Sequence, residues 1–330
     1  MKVFKQILRC VAFLAGLMII LTALHPVLAP KNNTYEAGIE DESANGILSE
    51  KKNTIDVLVL GDSLSHTAIS PMLLYKDYGI TSYLCGSYGQ FMYDTLRYLE
   101  LAFENQSPKI VLLETDTLYR KFSVGDAIAS GIQCEFPVFR YHDRWKDITF
   151  ADFKGDIRYT SINNYKGYRG KDIVKGIPNE PYMIETTEVE SVSIMNQIYM
   201  DEIAEFCEEK GVQLILVSTP SVLNCNYARH NGIQEIADKY GLEYIDMNLM
   251  TEEVPIDWTM DTRDKGDHLN HEGARKVTNY LGKFLVGKNI LSDHRNDVAY
   301  SNWNKSLDIY MEKIEMVFDE KIPVALNQNK

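Results

Sequence analysis

The stretch Asp56-Val57-Leu58-Val59-Leu60-Gly61-Asp62-Ser63-Leu64-Ser65 decides the fold. An apolar run stops at a glycine and then presents an acid and a hydroxyl, the pattern of a buried strand delivering Ser63 at its carboxyl edge. In open α/β sheets ligands gather just beyond those edges, where a following helix offers free backbone N–H groups. The plainer alternative is an ordinary strand-to-helix turn in which Asp62 or Ser63 only caps the next helix.

Working outward, further short apolar runs read as strands at 80–85, 109–114, 212–218 and 242–246, alongside the first at 55–60. Segments with helical spacing of apolar residues lie between them, at 71–78, 92–104, 191–210 and 233–240. This βα alternation predicts a doubly wound α/β/α sandwich around a five-stranded, mainly parallel sheet of flavodoxin-like type. The alternation is interrupted between about 117 and 190 by an insertion rich in aromatic and basic residues, Phe139-Arg140-Tyr141-His142-Asp143-Arg144-Trp145-Lys146 and Tyr165-Lys166-Gly167-Tyr168-Arg169-Gly170-Lys171. An insertion of this length without a regular period predicts a cap or binding loop. Arg140, His142, Arg144, Trp145 and Lys166 are its candidate substrate-binding residues, since rings beside cations hold sugars or anionic groups, though the same residues also serve as surface cover.

The two ends of the chain set its place in the cell. Lys2, Lys5 and Arg9 precede the apolar segment 10–24, which continues without formal charge to Pro30. Residues 1–30 therefore read as a membrane signal-anchor with its N-terminus in the cytoplasm. Cleavage competes, since Val27 and Ala29 sit at spacings a signal peptidase could use, but Pro30 would then follow the scissile bond. Either way the rest of the chain should lie outside the cytoplasm. Residues 31–53, polar and aperiodic, read as a linker; 54–290 as the folded domain; and 291–330 as a C-terminal helical extension.

Composition narrows the partners. The 330 residues are 45% hydrophobic and 25% charged, enough for a substantial core. A net charge of −13 and a pI near 5.1 argue against a surface made for nucleic acid. Beyond the anchor, Cys85, Cys134, Cys207 and Cys225 leave three possible disulfide connectivities open, and none of their spacings resembles a zinc site. The sequence calls for no cofactor.

The last third supplies what a serine nucleophile needs. Asp264-Lys265-Gly266-Asp267-His268-Leu269-Asn270-His271-Glu272-Gly273-Ala274 is a polar loop leading into an amphipathic helix. A base must take the serine proton and an acid must orient that base, so His268 with Asp264 or Asp267 is the candidate partner set for Ser63. Asp264 is preferred, because a carboxylate adjacent in sequence turns poorly onto its neighbour's Nδ1. The plainer alternatives are helix capping by Asn270 and a weak His-x-x-His metal site, for which no further ligand cluster is present.

These residues together resemble the SGNH/GDSL hydrolase superfamily, and within it the membrane-anchored extracytoplasmic branch related to bacterial polysaccharide O-acetyltransferases and DltD-like proteins. Gly61-Asp62-Ser63-Leu64-Ser65 matches the first block, Gly86-Ser87-Tyr88-Gly89-Gln90 the second, and His268-Leu269-Asn270 with Gly273-Ala274 the last. The resemblance implies Ser63 as nucleophile, His268 as base, and an oxyanion hole from the Ser63 and Gly89 N–H groups with Gly86 in reserve. It also implies acyl transfer from an ester or thioester donor to a surface glycan, with a membrane-bound O-acyltransferase as a possible partner. A simple esterase and a catalytically silent glycan-binding or scaffold protein are the alternatives. Two departures stand out. The third block's oxyanion-donating asparagine is replaced by Asp116, and the residue three before the histidine is Lys265.

Overall fold

The computed structural model describes residues 2–150, 152–155 and 157–321, with side chains of the last helix described as far as Ile314. Strands β1 (Val57–Gly61), β2 (Ser82–Gly86), β3 (Ile110–Glu114), β4 (Gln213–Ser218) and β5 (Glu243–Asp246) form one sheet in the order β2-β1-β3-β4-β5. Every pairing is parallel. The strand order reverses between β1 and β3, so the turn after β1 opens at the topological switch point where doubly wound sheets bind ligands.

The central strands are buried on both sides, which is why they read as unbroken apolar runs. Leu58, Leu60, Val111, Leu113, Leu214 and Leu216 face one core, together with α5 (Met92–Phe103), α8 (Ile194–Lys210) and α9 (Tyr227–Tyr240). Val57, Val59, Ile110, Leu112, Ile215 and Val217 face the other, beneath α10 (His271–Gly287). The short α3 (Ser63–Ala68) and α4 (Pro71–Tyr78) follow β1, and α10 packs on both. Helix α9 starts earlier than its apolar period suggests, because Asn226 caps it by accepting the Arg229 N–H at 2.9 Å.

Residues 31–53 are not a linker. They carry α2 (Glu42–Asn45), and Ala44, Ile47 and Leu48 enter the first core. Buried Asn33 donates to Asn45 O, Ser49 Oγ and Ser161 O at 2.9–3.1 Å. Polar composition concealed the segment's packing because several of its polar groups are satisfied by residues more than a hundred positions away.

The insertion is a helical piece followed by a strap. Helices α6 (Val124–Glu135) and α7 (Pro137–Arg140) come first. Beyond them the chain runs over the domain and bonds into it. Leu84 N–H donates to Lys166 O, Arg169 N–H to His66 O, and His271 N–H to Lys171 O. At the C-terminus, α11 (Ser301–Lys321) buries Trp303 and Tyr310 in the first core, and His294 Nε2 lies 2.8 Å from Asp56 Oδ2. Residues 322–330 of the expected extension lie outside the described residues. At the other end α1 (Lys2–Leu28) is a 27-residue helix, long and apolar enough to cross a bilayer.

Candidate active site

Gly61 closes β1 with φ 155°, and a side chain there would bring its Cβ within 2.6 Å of Glu114 Cβ. The chain turns at this glycine because nothing larger fits. Fully buried Asp62 then caps α3, its Oδ1 accepting the Leu64 N–H at 2.9 Å. Capping is thus carried by Asp62, and the Ser63 hydroxyl is left for another partner. That partner is His268, whose Nε2 lies 2.8 Å from Ser63 Oγ.

The other ring nitrogen of His268 faces Asp264 Oδ2 at 2.7 Å, and Asp264 Oδ1 accepts the His268 backbone N–H at 2.7 Å. One carboxylate therefore holds both ring and backbone. The loop folds back through the left-handed residues Lys265 (φ 67°) and Gly266 (φ 88°). It is tied at its base by a Thr262–Leu269 bridge and by Thr262 Oγ1, which accepts from Gly266 N and donates to His268 O. Asp267 stands farther off, its Oδ2 3.4 Å from Nδ1, while its Oδ1 accepts from Asn224 at 2.6 Å. With Nδ1–H donated to Asp264, Nε2 is the acceptor for the serine proton. Asp264, Asp267 and His268 are also the one group among the described residues whose ligand atoms converge within 4.8 Å. The atoms a cation would use are those that already orient His268.

Gly61 of β1 is paired in register with Gly86 of β2, so the turns after both strands leave the same edge. Gly86 is fixed by packing, since a Cβ there would lie 2.7 Å from Gly61 O. Gly89 occupies the left-handed region (φ 64°) in the turn itself. Asp116 follows β3, with Oδ1 3.1 Å from Arg229 Nη1 and Oδ2 3.7 Å from Arg120 Nη2. Arg120 Nη2 also donates to Asp62 Oδ2 at 2.8 Å. Asp116, which takes the asparagine's place in the third block, thus has both carboxyl oxygens beside arginines. Burial, and then the neighbouring Asp62 carboxylate, push its pKa upward. Glu114 is pushed well up by burial, then by Asp62 and Asp116. Three carboxyl groups and two guanidinium groups thus interlock around Asp62 and Asp116, with Asp62 adjoining Ser63 in the chain.

No family model and no curated protein sequence matches the chain. Among solved structures it is similar to a GDSL-like lipase from Bacteroides thetaiotaomicron, at 12% identity and TM-score 0.39, over 75% of this chain and all of that one (100%). It is also similar to the esterase EstA from Pseudoalteromonas, at 12% identity and TM-score 0.38, covering 70% and 97% of the two chains. A lipase/acylhydrolase from Enterococcus faecalis gives 15% identity and TM-score 0.37, covering 73% and 98%.

Around Ser63 the structure gathers residues that the sequence did not single out. His66, one helical turn beyond Ser63, is fully buried, and its ring nitrogens make no hydrogen bond of normal geometry among the described residues. Burial, then Arg169, Arg263 and His268, hold its pKa well below the usual value. Its ring meets Tyr88 edge-on at 4.7 Å, and the Arg169 guanidinium lies 5.1 Å from the Tyr88 ring centre while pairing with Asp41. Arg263 donates to Arg169 O at 3.1 Å and lies 3.7 Å from Asp264 Oδ2. The available signals were slight: His66 shares a helix face with Ser63, and Arg263 adjoins Asp264.

The cap residues divide. Arg140 pairs with Glu40 and lines a cleft of about 380 Å³ beside Tyr88 and Gly89. Lys166 is corrected: it is buried on Glu50 at 2.6 Å, its ammonium 4.9 Å from the Trp303 ring centre, and so is closed to substrate. Arg144 is corrected likewise, because the carbonyls of Leu28 and Ala29 and the Asp152 carboxylate occupy it. His142 and Trp145 are exposed, and their contacts among the described residues are local, His142 Nδ1 lying 3.3 Å from Phe139 O and the Lys146 ammonium 5.9 Å from the Trp145 ring centre. All five cysteines are free thiols, with Cys85 and Cys207 buried.

Proposed function

We propose that this chain is a serine-dependent acyl-transfer enzyme of the SGNH type, held at the membrane by α1 with its domain outside the cytoplasm. The observation that carries the proposal is the hydrogen-bonded line Ser63 Oγ, His268 Nε2, His268 Nδ1, Asp264 Oδ2, at 2.8 and 2.7 Å, standing at the sheet's switch point. Ser63 Oγ attacks the carbonyl carbon of an ester as its proton passes to His268 Nε2. Asp264 stabilises the resulting imidazolium, and the backbone N–H groups of Ser63 and Gly89 face the developing oxyanion. His268 returns the proton to the leaving alcohol, leaving an acyl group on Ser63. A second hydroxyl, deprotonated by His268, then takes that acyl group and restores the serine.

Water as that second hydroxyl makes the enzyme an esterase. A hydroxyl of a cell-surface polysaccharide makes it an O-acyltransferase, the assignment we favour. The Arg140-lined cleft beside Gly89 supports it by offering carboxylates and aromatic rings to a sugar next to the acyl site.

The test is labelling of the full chain in detergent with a fluorescent fluorophosphonate. Wild type should label, and Ser63→Ala and His268→Ala should not. A folded wild-type protein that stays unlabelled would leave only a binding or scaffold role. With labelling in hand, an acyl donor supplied with and without polysaccharide separates transfer from hydrolysis by where the acyl group is recovered.

A further inference from the structure

Helix α1 does not end in a free tether. Arg144 donates to both Leu28 O and Ala29 O and binds Asp152 at 2.7 Å, while the Arg158 N–H donates to Lys31 O at 2.8 Å. Helix α7 and the short helical turns His142–Lys146 and Asp152–Lys154 pack against α1, and Leu28 is buried there. The described residues of 137–158 thus form a foot around the point where the apolar helix enters the domain.

This foot exposes large rings. Trp145 is 65% exposed, Phe150 81% and Phe153 65%. The ammonium groups of Lys146 and Lys154 each lie 5.9 Å from a ring centre, over Trp145 and Phe150 respectively. Single exposed apolar residues need no explanation, but three large rings within nine residues, beside the end of a membrane-length helix, do. Tryptophan and other aromatic rings are favoured at the headgroup level of a bilayer, where lysine stems reach outward to water. At about 1.5 Å per residue, α1 spans about 40 Å, more than the roughly 30 Å hydrocarbon layer, so its last turns reach that level.

We infer that the 137–158 foot seats in the outer bilayer interface, with Trp145, Phe150 and Phe153 among the headgroups. The inference rests on α1 being a membrane anchor. What selects lipid as the occupant is continuity: the rings belong to a segment bonded to the very residues at which the helix leaves the hydrocarbon.

Of the three tryptophans, Trp258 and Trp303 are buried and only Trp145 can report on lipid. The full chain is reconstituted in phosphatidylcholine vesicles containing lipid brominated near the headgroup, and floated to confirm attachment. The expected result is quenching of wild-type fluorescence that falls severalfold in Trp145→Phe, together with protection of Trp145 from aqueous acrylamide. Floating protein whose quenching is unchanged by Trp145→Phe, or whose Trp145 stays open to acrylamide, as a surface reserved for an absent protein partner would, overturns the foot while leaving the anchor intact. Protein that does not float overturns both.

Discussion

Replacing Asp264 and Asp267 in turn tests the geometry behind Ser63 most directly. Asp264 holds His268 twice, at 2.7 Å on Nδ1 and 2.7 Å on the backbone N–H, whereas Asp267 stands at 3.4 Å and is shared with Asn224. In serine proteases, loss of the acid lowers kcat by about 10⁴-fold. Here Asp264→Ala leaves a second carboxylate within reach of Nδ1, so we expect a smaller loss, about 10³-fold in kcat/KM, or roughly 4 kcal/mol of transition-state stabilisation. Asp267→Ala should cost less than about tenfold, and the double variant should approach the full 10⁴-fold, because the fallback is then gone. Asp264→Asn retains an acceptor for the His268 backbone N–H, so it separates loop collapse from loss of the charge. The assay is p-nitrophenyl acetate hydrolysis by the full chain in detergent, paired with the rate of fluorophosphonate labelling and with thermal melts to exclude unfolding. An Asp267→Ala loss equal to or greater than that of Asp264→Ala would refute the assignment.

Two further predictions concern stability. Lys166→Met should destabilise the domain by about 3–5 kcal/mol in denaturant titrations, since it strands the Glu50 carboxylate in the core. Adding Glu50→Leu should recover much of the loss, and a single-variant cost below about 1 kcal/mol would contradict the pairing. Glu114 has a folded pKa above its unfolded value, so its contribution is whole at pH below the ordinary carboxylate range and is lost as pH rises towards the folded value. Wild-type stability should fall over that interval by up to about 1.4 kcal/mol per pH unit. Glu114→Gln should flatten this slope in melts run from acid to neutral pH, and an unchanged slope would exclude Glu114 as its source.

The features legible in the sequence are those that local physics dictates. Val57–Leu60, Ile110–Leu113 and Leu214–Val217 are apolar without a break because both faces of the sheet are covered, and the five-stranded parallel sheet follows from them. Gly61 is legible as a turn because no side chain fits there. What stayed hidden depends on partners distant in sequence. Lys166 and Arg169 look alike in one basic run, yet Lys166 meets Glu50 in the core and Arg169 meets Tyr88 and Asp41 near Ser63. Residues 31–53 passed for a linker because their polar groups are satisfied by Ser161, Asn163 and Lys166. His66 gave no sign of burial, since its neighbours arrive from β2, the strap and the loop at Arg263.

The clasp between the segment after α1, the strap and α11 also bears on how the protein acquires its structure. Asn33 bonds Ser161, Glu50 bonds Lys166, and Ser70 bonds Tyr310, contacts separated by 128, 116 and 240 residues along the chain. Loops of such length close late, and folding slows as contacting residues lie farther apart in sequence. The first part of the domain to be synthesised must therefore wait for the last. A nascent chain halted before Trp303 would leave Tyr75 without its ring partner and α4 without α11, so the domain should complete its core only after Tyr310 has been synthesised. A membrane helix inserted early would hold that unfinished chain in place meanwhile, keeping its exposed apolar segments apart from those of its neighbours.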